Sequence, residues 1–357
     1  MPKDRGALDE RNAPASPYGI HRVLDADLCL PQAATRLDNS LPIFSNEIAI
    51  AVERLNIDAA SFVQMEEETR GDLQKISAIV LENCRTLGKQ QNLVTGSGGM
   101  CLGMVTQVGS DYRGPVKVKP GDKVATLVSL TLTPLHLSEI TRIHKAQHQM
   151  EVQGHAILFE TSVAALMPSD IPEPVALAAY DVCGAPAWAH ALPKPGMTVV
   201  ILGAGGKAGL LSSAAVRDKL KRSGKIIAIE PFEKACADLE KLGACNTILK
   251  IDATNPLTVF EAVRKATHGK MADLVISVAS VPNTENSALL SVAPRGKVLF
   301  FSMATSFSKV TLGSEGIAVR AQLIFGNGYY PGHAKYSIDL LRRNKKLAAI
   351  FNARYGA

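Results

Sequence analysis

The chain has 357 residues, of which 46% are hydrophobic, 20% charged and only 5% aromatic. That length allows two domains, each with its own core. The 39 basic and 33 acidic side chains leave a net charge of +6, spread along the chain without a basic block, which argues against a nucleic-acid partner. No apolar run approaches the eighteen or so residues of a membrane span, and the first residues lack the apolar stretch of a secretory signal. The expectation is a cytoplasmic protein with no membrane partner. The six cysteines form no C-x-x-C pair and read as small buried apolar residues.

In chain order, residues 47–53 alternate and predict a half-exposed strand. Residues 62–91 are polar and helix-prone. A glycine-studded stretch from Gly96 to Gly109 follows, then two β-prone runs between Val116 and Val128 about a tight turn at Lys119-Pro120-Gly121-Asp122. Short strands joined by glycine turns predict a small, strongly bent β domain. His136, His144, His148 and His155 crowd the next segment. His144 and His148 stand four apart, as ligands on one helix face do, but no carboxylate completes a recognised spacing and the stretch reads as polar surface.

From about Pro168 the rhythm changes. An alanine-rich helical stretch runs to Pro195-Gly196. Beta-prone runs at 198–202, 225–229, 247–251, 273–278, 297–301 and 322–325 then alternate with helical segments, the pattern of a parallel sheet covered on both faces. Lys335 to Lys346 predicts an amphipathic helix returning to the first domain.

The strongest motif is Gly203-Ala204-Gly205-Gly206-Lys207-Ala208-Gly209, between the strand ending at Leu202 and a helical run. This is G-x-G-x-x-[GA] in the context its mechanism requires. Gly203 permits the tight turn, Gly205 lets a diphosphate approach the backbone, and Ala208 keeps the helix close to the sheet. Free amides at the helix start then face the phosphates. Lys207 either adds charge there or is a solvated surface lysine. Glu230 ends the next strand, 27 residues after Gly203. An acid there accepts hydrogen bonds from adenosine ribose hydroxyls and repels a 2′-phosphate, so NAD is expected rather than NADP.

With that turn, the run Glu230 to Ala244 and the later strands, the chain resembles the medium-chain dehydrogenase/reductases, which pair a Rossmann doubly wound sheet with a GroES-like β domain. Gly98 to Gly109 and Gly121 to Val124 are similar to the latter. The resemblance implies that backbone near Val278, Leu323 and Phe325 faces the nicotinamide, and that the protein is a homo-oligomer, a dimer or tetramer, through the Rossmann edge strand. Zinc members carry Gly-His-Glu where this chain has Gly98-Gly99-Met100, a cysteine near Asn56 to Asp58, and a further ligand at Ala178. Those donors and the four-cysteine lobe are missing, so no metal is expected. More narrowly, Phe62 to Asp72, Gly88-Lys89 and Val94 to Met100 resemble the L-erythro-3,5-diaminohexanoate dehydrogenase family of lysine fermentation. The resemblance implies NAD-linked oxidative deamination of a diamino acid at its 3-amino group, giving 5-amino-3-oxohexanoate and ammonia.

Such a reaction needs a base for the ammonium proton and a proton acceptor for water adding to the imine. An iminium is itself electrophilic, so no Lewis acid is required. Asp58 and Asp181 are the candidate catalytic acids, each otherwise a helix cap or a partner for a surface lysine. Tyr180, Tyr329 and Tyr330 orient an amine or simply pack. The expected domains are a GroES-like one at 1–178 with 326–357 and a Rossmann one at 179–325, the active site lying in the cleft between them at the carboxyl ends of the strands. Two alternatives stand: a zinc-free quinone or enone reductase using NADPH, and a non-catalytic dinucleotide-sensing protein.

Overall fold

Residues 13–24 and 29–356 are described in a computed structural model, in which the chain divides into two units, one up to Asp170 and one from Ile171 onward. In the first, strand β1 (Ile48–Asn56) lies at the centre of a six-stranded antiparallel sheet, hydrogen-bonded to β2 (Met100–Val108) on one side and β5 (Gln149–Leu158) on the other. The sheet continues through β3 (Lys123–Thr126) and β6 (Ala164–Leu166) at one edge and ends in β4 (Leu135–His144) at the other. Register shifts along β1 against both neighbours bend it, as the glycine-rich sequence anticipates. The expected strand before the Lys119–Asp122 turn is absent; Pro115 and Pro120 bracket that run and withhold ladder donors.

The helix-prone stretch at 62–91 holds two helices, the first starting slightly before it. Alpha helix α1 (Ala59–Thr69) is capped by Asp58, and α2 (Leu73–Leu87) by Asp72. The break falls at Arg70 and Gly71, both left-handed at φ 55° and 77°. Their apolar faces (Phe62, Met65, Ile76, Val80, Cys84) fill a core with Leu55, Leu135 and Met150 from the sheet. At the entrance to β1, Arg22 and Glu47 form a buried two-pronged ion pair, 2.7 and 2.6 Å, which His21 joins at 2.8 Å. Burial alone would raise the Glu47 carboxyl. The hydrogen bonds from Arg22 and His21, with the Arg22 charge, outweigh it and hold that group below its ordinary range.

The second unit opens with α3 (Glu173–Tyr180) and α4 (Gly184–Ala191) and then builds a parallel sheet from β7 (Thr198–Leu202), β8 (Lys225–Ile229), β9 (Thr247–Leu249), β10 (Ala272–Ser277), β11 (Val292–Phe300) and β12 (Gln322–Phe325). Its spatial order is β9-β8-β7-β10-β11-β12, the Rossmann arrangement, with β7 and β10 flanking the point where the order reverses. The valine, isoleucine and leucine side chains of β7, β8 and β10 are buried, as strands covered on both faces require. The covering helices are α5 (Lys207–Leu220), α6 (Glu233–Leu242), α7 (Pro256–Ala266), α8 (Glu285–Ser291) and α9 (Phe307–Gly316).

Residues 326–357 were expected to rejoin the first domain. Instead α10 (His333–Arg343) and α11 (Lys345–Tyr355) belong to the second unit and pack on α3, α4, α5 and α6. The physical reason is an apolar face of Ile338, Leu341, Leu347, Ile350 and Phe351, framed by ion pairs from Arg343 to Asp218 and from Arg354 to Asp238. Among the described residues no helix is long and apolar enough to cross a membrane.

Candidate coenzyme and active site

The glycine turn leaves β7 at the switch point. Gly203 takes a left-handed conformation, φ 75°, and its amide and that of Ala204 both donate to the Ile229 carbonyl at 3.0 and 3.2 Å. A Cβ on Gly203 would stand 2.5 Å from Ala279 Cα. The segment following β10 therefore runs directly against the turn, and Val278 just before it donates to the Leu202 carbonyl at 3.0 Å. Gly205 has no room for a side chain either: a Cβ would lie 2.5 Å from Ala235 Cβ and 2.8 Å from Glu230 Oε2. Gly206, by contrast, is exposed and opens α5 without a side-chain cap. The first amides of α5 thus lack a capping side chain, the electrostatic setting that suits an anion.

One motif position shifts. Ala208 was expected to allow close packing of the helix, but Ala208 is half-buried, and Gly209 is the residue pressed on the turn. A Cβ there would meet the Gly203 carbonyl at 2.3 Å and Ala204 C at 2.4 Å.

Glu230 is 5% exposed and folds back over the turn. Its Oε2 accepts the Gly205 amide at 2.9 Å and its Oε1 the Phe232 amide at 3.3 Å. Each carboxylate oxygen carries a second lone pair for a hydroxyl donor. A tight turn without side chains, an uncapped helix start and an acid at the end of the second strand fit the diphosphate and ribose of a nicotinamide dinucleotide, whose chemistry when bound is to accept or give a hydride.

Lys207 is not a solvated surface lysine. Its Nζ donates to Asp181 Oδ2 at 2.6 Å, with both side chains mostly buried at 15% and 12% exposure, and it lies 6.0 Å from the Tyr355 ring centre. Asp181 follows α3 directly, so α3 and the start of α5 bring this acid and this ammonium together beside the glycine turn. Leu323 and Phe325 are placed differently from Val278. They lie on β12, with β10 and β11 between them and β7, and Phe325 stacks on Phe300 with centroids 5.7 Å apart. Tyr180 is buried, and Tyr330 packs edge-on against Trp188 at 5.0 Å.

In the first unit Asp58 caps α1: its Oδ1 accepts the Ser61 amide at 3.0 Å. Its Oδ2 is buried and has no hydrogen-bond partner. Beside it, Ser61 and Thr95 share a hydroxyl contact of 2.5 Å, and Asn92 fixes the Val94 and Thr95 amides through Oδ1 at 2.9 Å each. Gly99 is left-handed, and a Cβ there would collide with the Asn56 carbonyl at 2.1 Å. The Val94 to Met100 motif is therefore a loop folded closely over the end of β1.

The four histidines do not share a helix. Beta strands β4 and β5 form a hairpin about a short turn at Lys145–Gln147, which puts His144 at the end of a strand and His148 beyond the turn at φ 56°. His144 binds Glu151 at 2.7 Å, His148 stacks on Phe62, and His136 stacks on His155 directly across the hairpin. Burial lowers the His155 pKa, and its Nε2 meets the Asn39 carbonyl at 2.7 Å. Among the described residues no group of three or more histidine, cysteine, aspartate or glutamate side chains is arranged to hold a metal.

Sequence reasoning missed Arg354. From α11 it donates to the Gly205 carbonyl at 2.8 Å and, twice, to Asp238 Oδ2 at 2.9 and 2.6 Å. Its partner Asp238 is 116 residues away, so no local spacing advertises the contact.

Comparison with known proteins agrees with this architecture. Residues 21–168 match the family described as the L-erythro-3,5-diaminohexanoate dehydrogenase N-terminal domain. The chain is 43% identical to the L-erythro-3,5-diaminohexanoate dehydrogenase of Acetoanaerobium sticklandii and 45% identical to that of Fusobacterium nucleatum. Each alignment spans 95% of this chain and 98% of the relative. Among solved structures, an alcohol dehydrogenase of Thermotoga maritima superposes with a TM-score of 0.55 at 16% identity, over 87% of this chain and 85% of its own. A mycobacterial protein complexed with NADPH does so with a TM-score of 0.50 at 17% identity, over 86% and 81%. These structures share the fold, and the near full-length relatives fix the lineage: the chain belongs to the L-erythro-3,5-diaminohexanoate dehydrogenase family.

Proposed function

We propose that the protein is an NAD-dependent dehydrogenase that oxidatively deaminates L-erythro-3,5-diaminohexanoate at its 3-amino group, releasing 5-amino-3-oxohexanoate and ammonia. The observation that carries this reading is the 43–45% identity over nearly the whole chain to two dehydrogenases of that name. Gly203, Ala204, Gly205 and Gly206 would let the diphosphate approach the turn, and the uncapped amides of Lys207 and Ala208 would meet it, with Glu230 on the adenosine ribose and Val278, beside the turn, toward the nicotinamide end. The buried negative charge of Glu230 supports NAD over NADP, because a 2′-phosphate there would meet a like charge.

The amine substrate is protonated at neutral pH, so a base must take one proton before the carbon can release hydride. Asp58 and Asp181 are the two carboxylates proposed for substrate amines. Asp58 keeps one oxygen without a partner, which suits a proton acceptor. Asp181 pairs with a primary ammonium, that of Lys207, at 2.6 Å, and a substrate amine would share or displace that partner. Water adding to the imine passes its proton to such a carboxylate. A homo-oligomer is part of the proposal: β12 is the last strand of its sheet, and its residue Phe325, with nearby Phe307, is exposed as an edge covered by a second copy would be.

The test is an assay of NADH and ammonia formed from L-erythro-3,5-diaminohexanoate, alongside simple alcohols and enones. Equimolar NADH and ammonia from the diamino acid are expected. Turnover confined to enones with NADPH would favour a quinone or enone reductase, and NADH binding without turnover of any amine would favour a sensor.

A further inference from the structure

The second glycine of the turn is gripped from three directions. Ala235 of α6 walls it on one side, Glu230 takes its amide, and Arg354 of α11 takes its carbonyl at 2.8 Å. Arg354 is itself clamped by two hydrogen bonds to Asp238, a residue of α6 that is 7% exposed. Burial would raise the Asp238 carboxyl, but the hydrogen bonds and charges of Arg354 and Lys241 hold it below its ordinary range, so it remains an anion for the guanidinium. Glycine is the residue with most backbone freedom to lose, and this turn has three within four positions. Left alone it would lose that freedom when a diphosphate docks; a turn already fixed loses less, and the saving appears as affinity.

We propose that Arg354 is a positioning residue for the coenzyme turn: it ties the Gly205 carbonyl to Asp238, and so makes coenzyme affinity depend on the docking of helix α11. The inference rests on the reading of Gly203 to Ala208 as the dinucleotide site, and it adds an element that no glycine motif contains. Because coupling is reciprocal, coenzyme binding must in turn tighten α11.

The test compares Arg354→Ala, Arg354→Lys and Asp238→Asn with the unmutated protein. It reads NADH affinity by fluorescence titration, steady-state kinetics at varied NAD, and amide hydrogen exchange across α11. Charge-assisted hydrogen bonds of this kind predict that Arg354→Ala raises the Kd for NADH and the KM for NAD by about tenfold. The kcat at saturating coenzyme and the KM for the amine should move far less. Arg354→Lys, which reaches Asp238 or the carbonyl but not both, should fall between. NADH should slow exchange in α11 of the unmutated protein and lose that effect in Arg354→Ala. A purely structural arginine would lower the melting temperature without moving the KM for NAD; that outcome, or a fall in kcat at constant KM, overturns the proposal. Should Arg354→Ala not fold, Asp238→Asn carries the same prediction. If the unmutated protein binds no NADH, the dinucleotide reading itself fails. If it binds NADH and the variants bind equally well, only the role of Arg354 fails.

Discussion

Gly205 leaves no space for even one methyl group, because Ala235 Cβ and the Glu230 carboxylate occupy it. Gly205→Ala must push the turn outward by a substantial fraction of an ångström. Misplacement on that scale predicts a loss of about a hundredfold in kcat/KM. Glu230→Gln removes the negative charge; its single side-chain oxygen still accepts one of the two backbone amides, that of Gly205, and gives up the weaker bond from Phe232. It should raise the preference for NADP relative to NAD by about a hundredfold, the size of a relieved like-charge contact; an unchanged ratio in paired kinetics would remove Glu230 as the selector. Asp58→Asn separates two roles of one side chain. Asparagine caps helices as well as aspartate does, so the melting temperature should hold while turnover falls by about a hundredfold or more if this carboxylate is the base. Asp181→Asn, assayed in parallel, reads the other candidate.

At the scale of elements, the strands of the second unit were the most legible part of the chain. Runs such as Thr198 to Leu202 and Lys225 to Ile229 are continuous and β-branched because they are buried on both faces, and each was recognisable without its neighbours. The glycine turn was legible for the same reason: its demands are local. The histidine hairpin was not, since a four-residue interval suits a helix face, whereas pairing such as His136 opposite His155 is decided across strands. Arg354 and the docking of α10 and α11 were invisible because their partners are distant in sequence.

The entrance to β1 carries a stability prediction of the same non-local kind. Arg22 and Glu47 are 0% and 1% exposed, so Glu47→Gln leaves a buried guanidinium with only the more distant Asp38 carboxylate, 3.8 Å away, and should cost about 3 kcal/mol at neutral pH. Because the folded Glu47 pKa is depressed, its contribution is full above the ordinary carboxylate range and disappears as pH falls through the folded value. Urea melts at pH 7 and pH 4 should therefore show a gap between the unmutated protein and Glu47→Gln that narrows in acid. A gap independent of pH would contradict the ion-pair account.

For the whole molecule, the near full-length relatives give a dehydrogenase lineage, and the second unit carries a glycine turn and an acid that fit a nicotinamide dinucleotide. The domain boundary lies at 170/171, not at the expected 178/179, and helices α3, α10 and α11 pack together in the second unit. The docking of α11 there is what brings Arg354 to the Gly205 carbonyl. The decisive measurement is a fluorescence titration of NADH against the unmutated protein and Gly205→Ala, with the fold of both verified by circular dichroism. Saturable binding at one site per chain, abolished or weakened at least tenfold by the added methyl group, is the predicted result. Binding that Gly205→Ala leaves untouched, or no binding by the unmutated protein, would contradict the placement of the coenzyme on which the function rests.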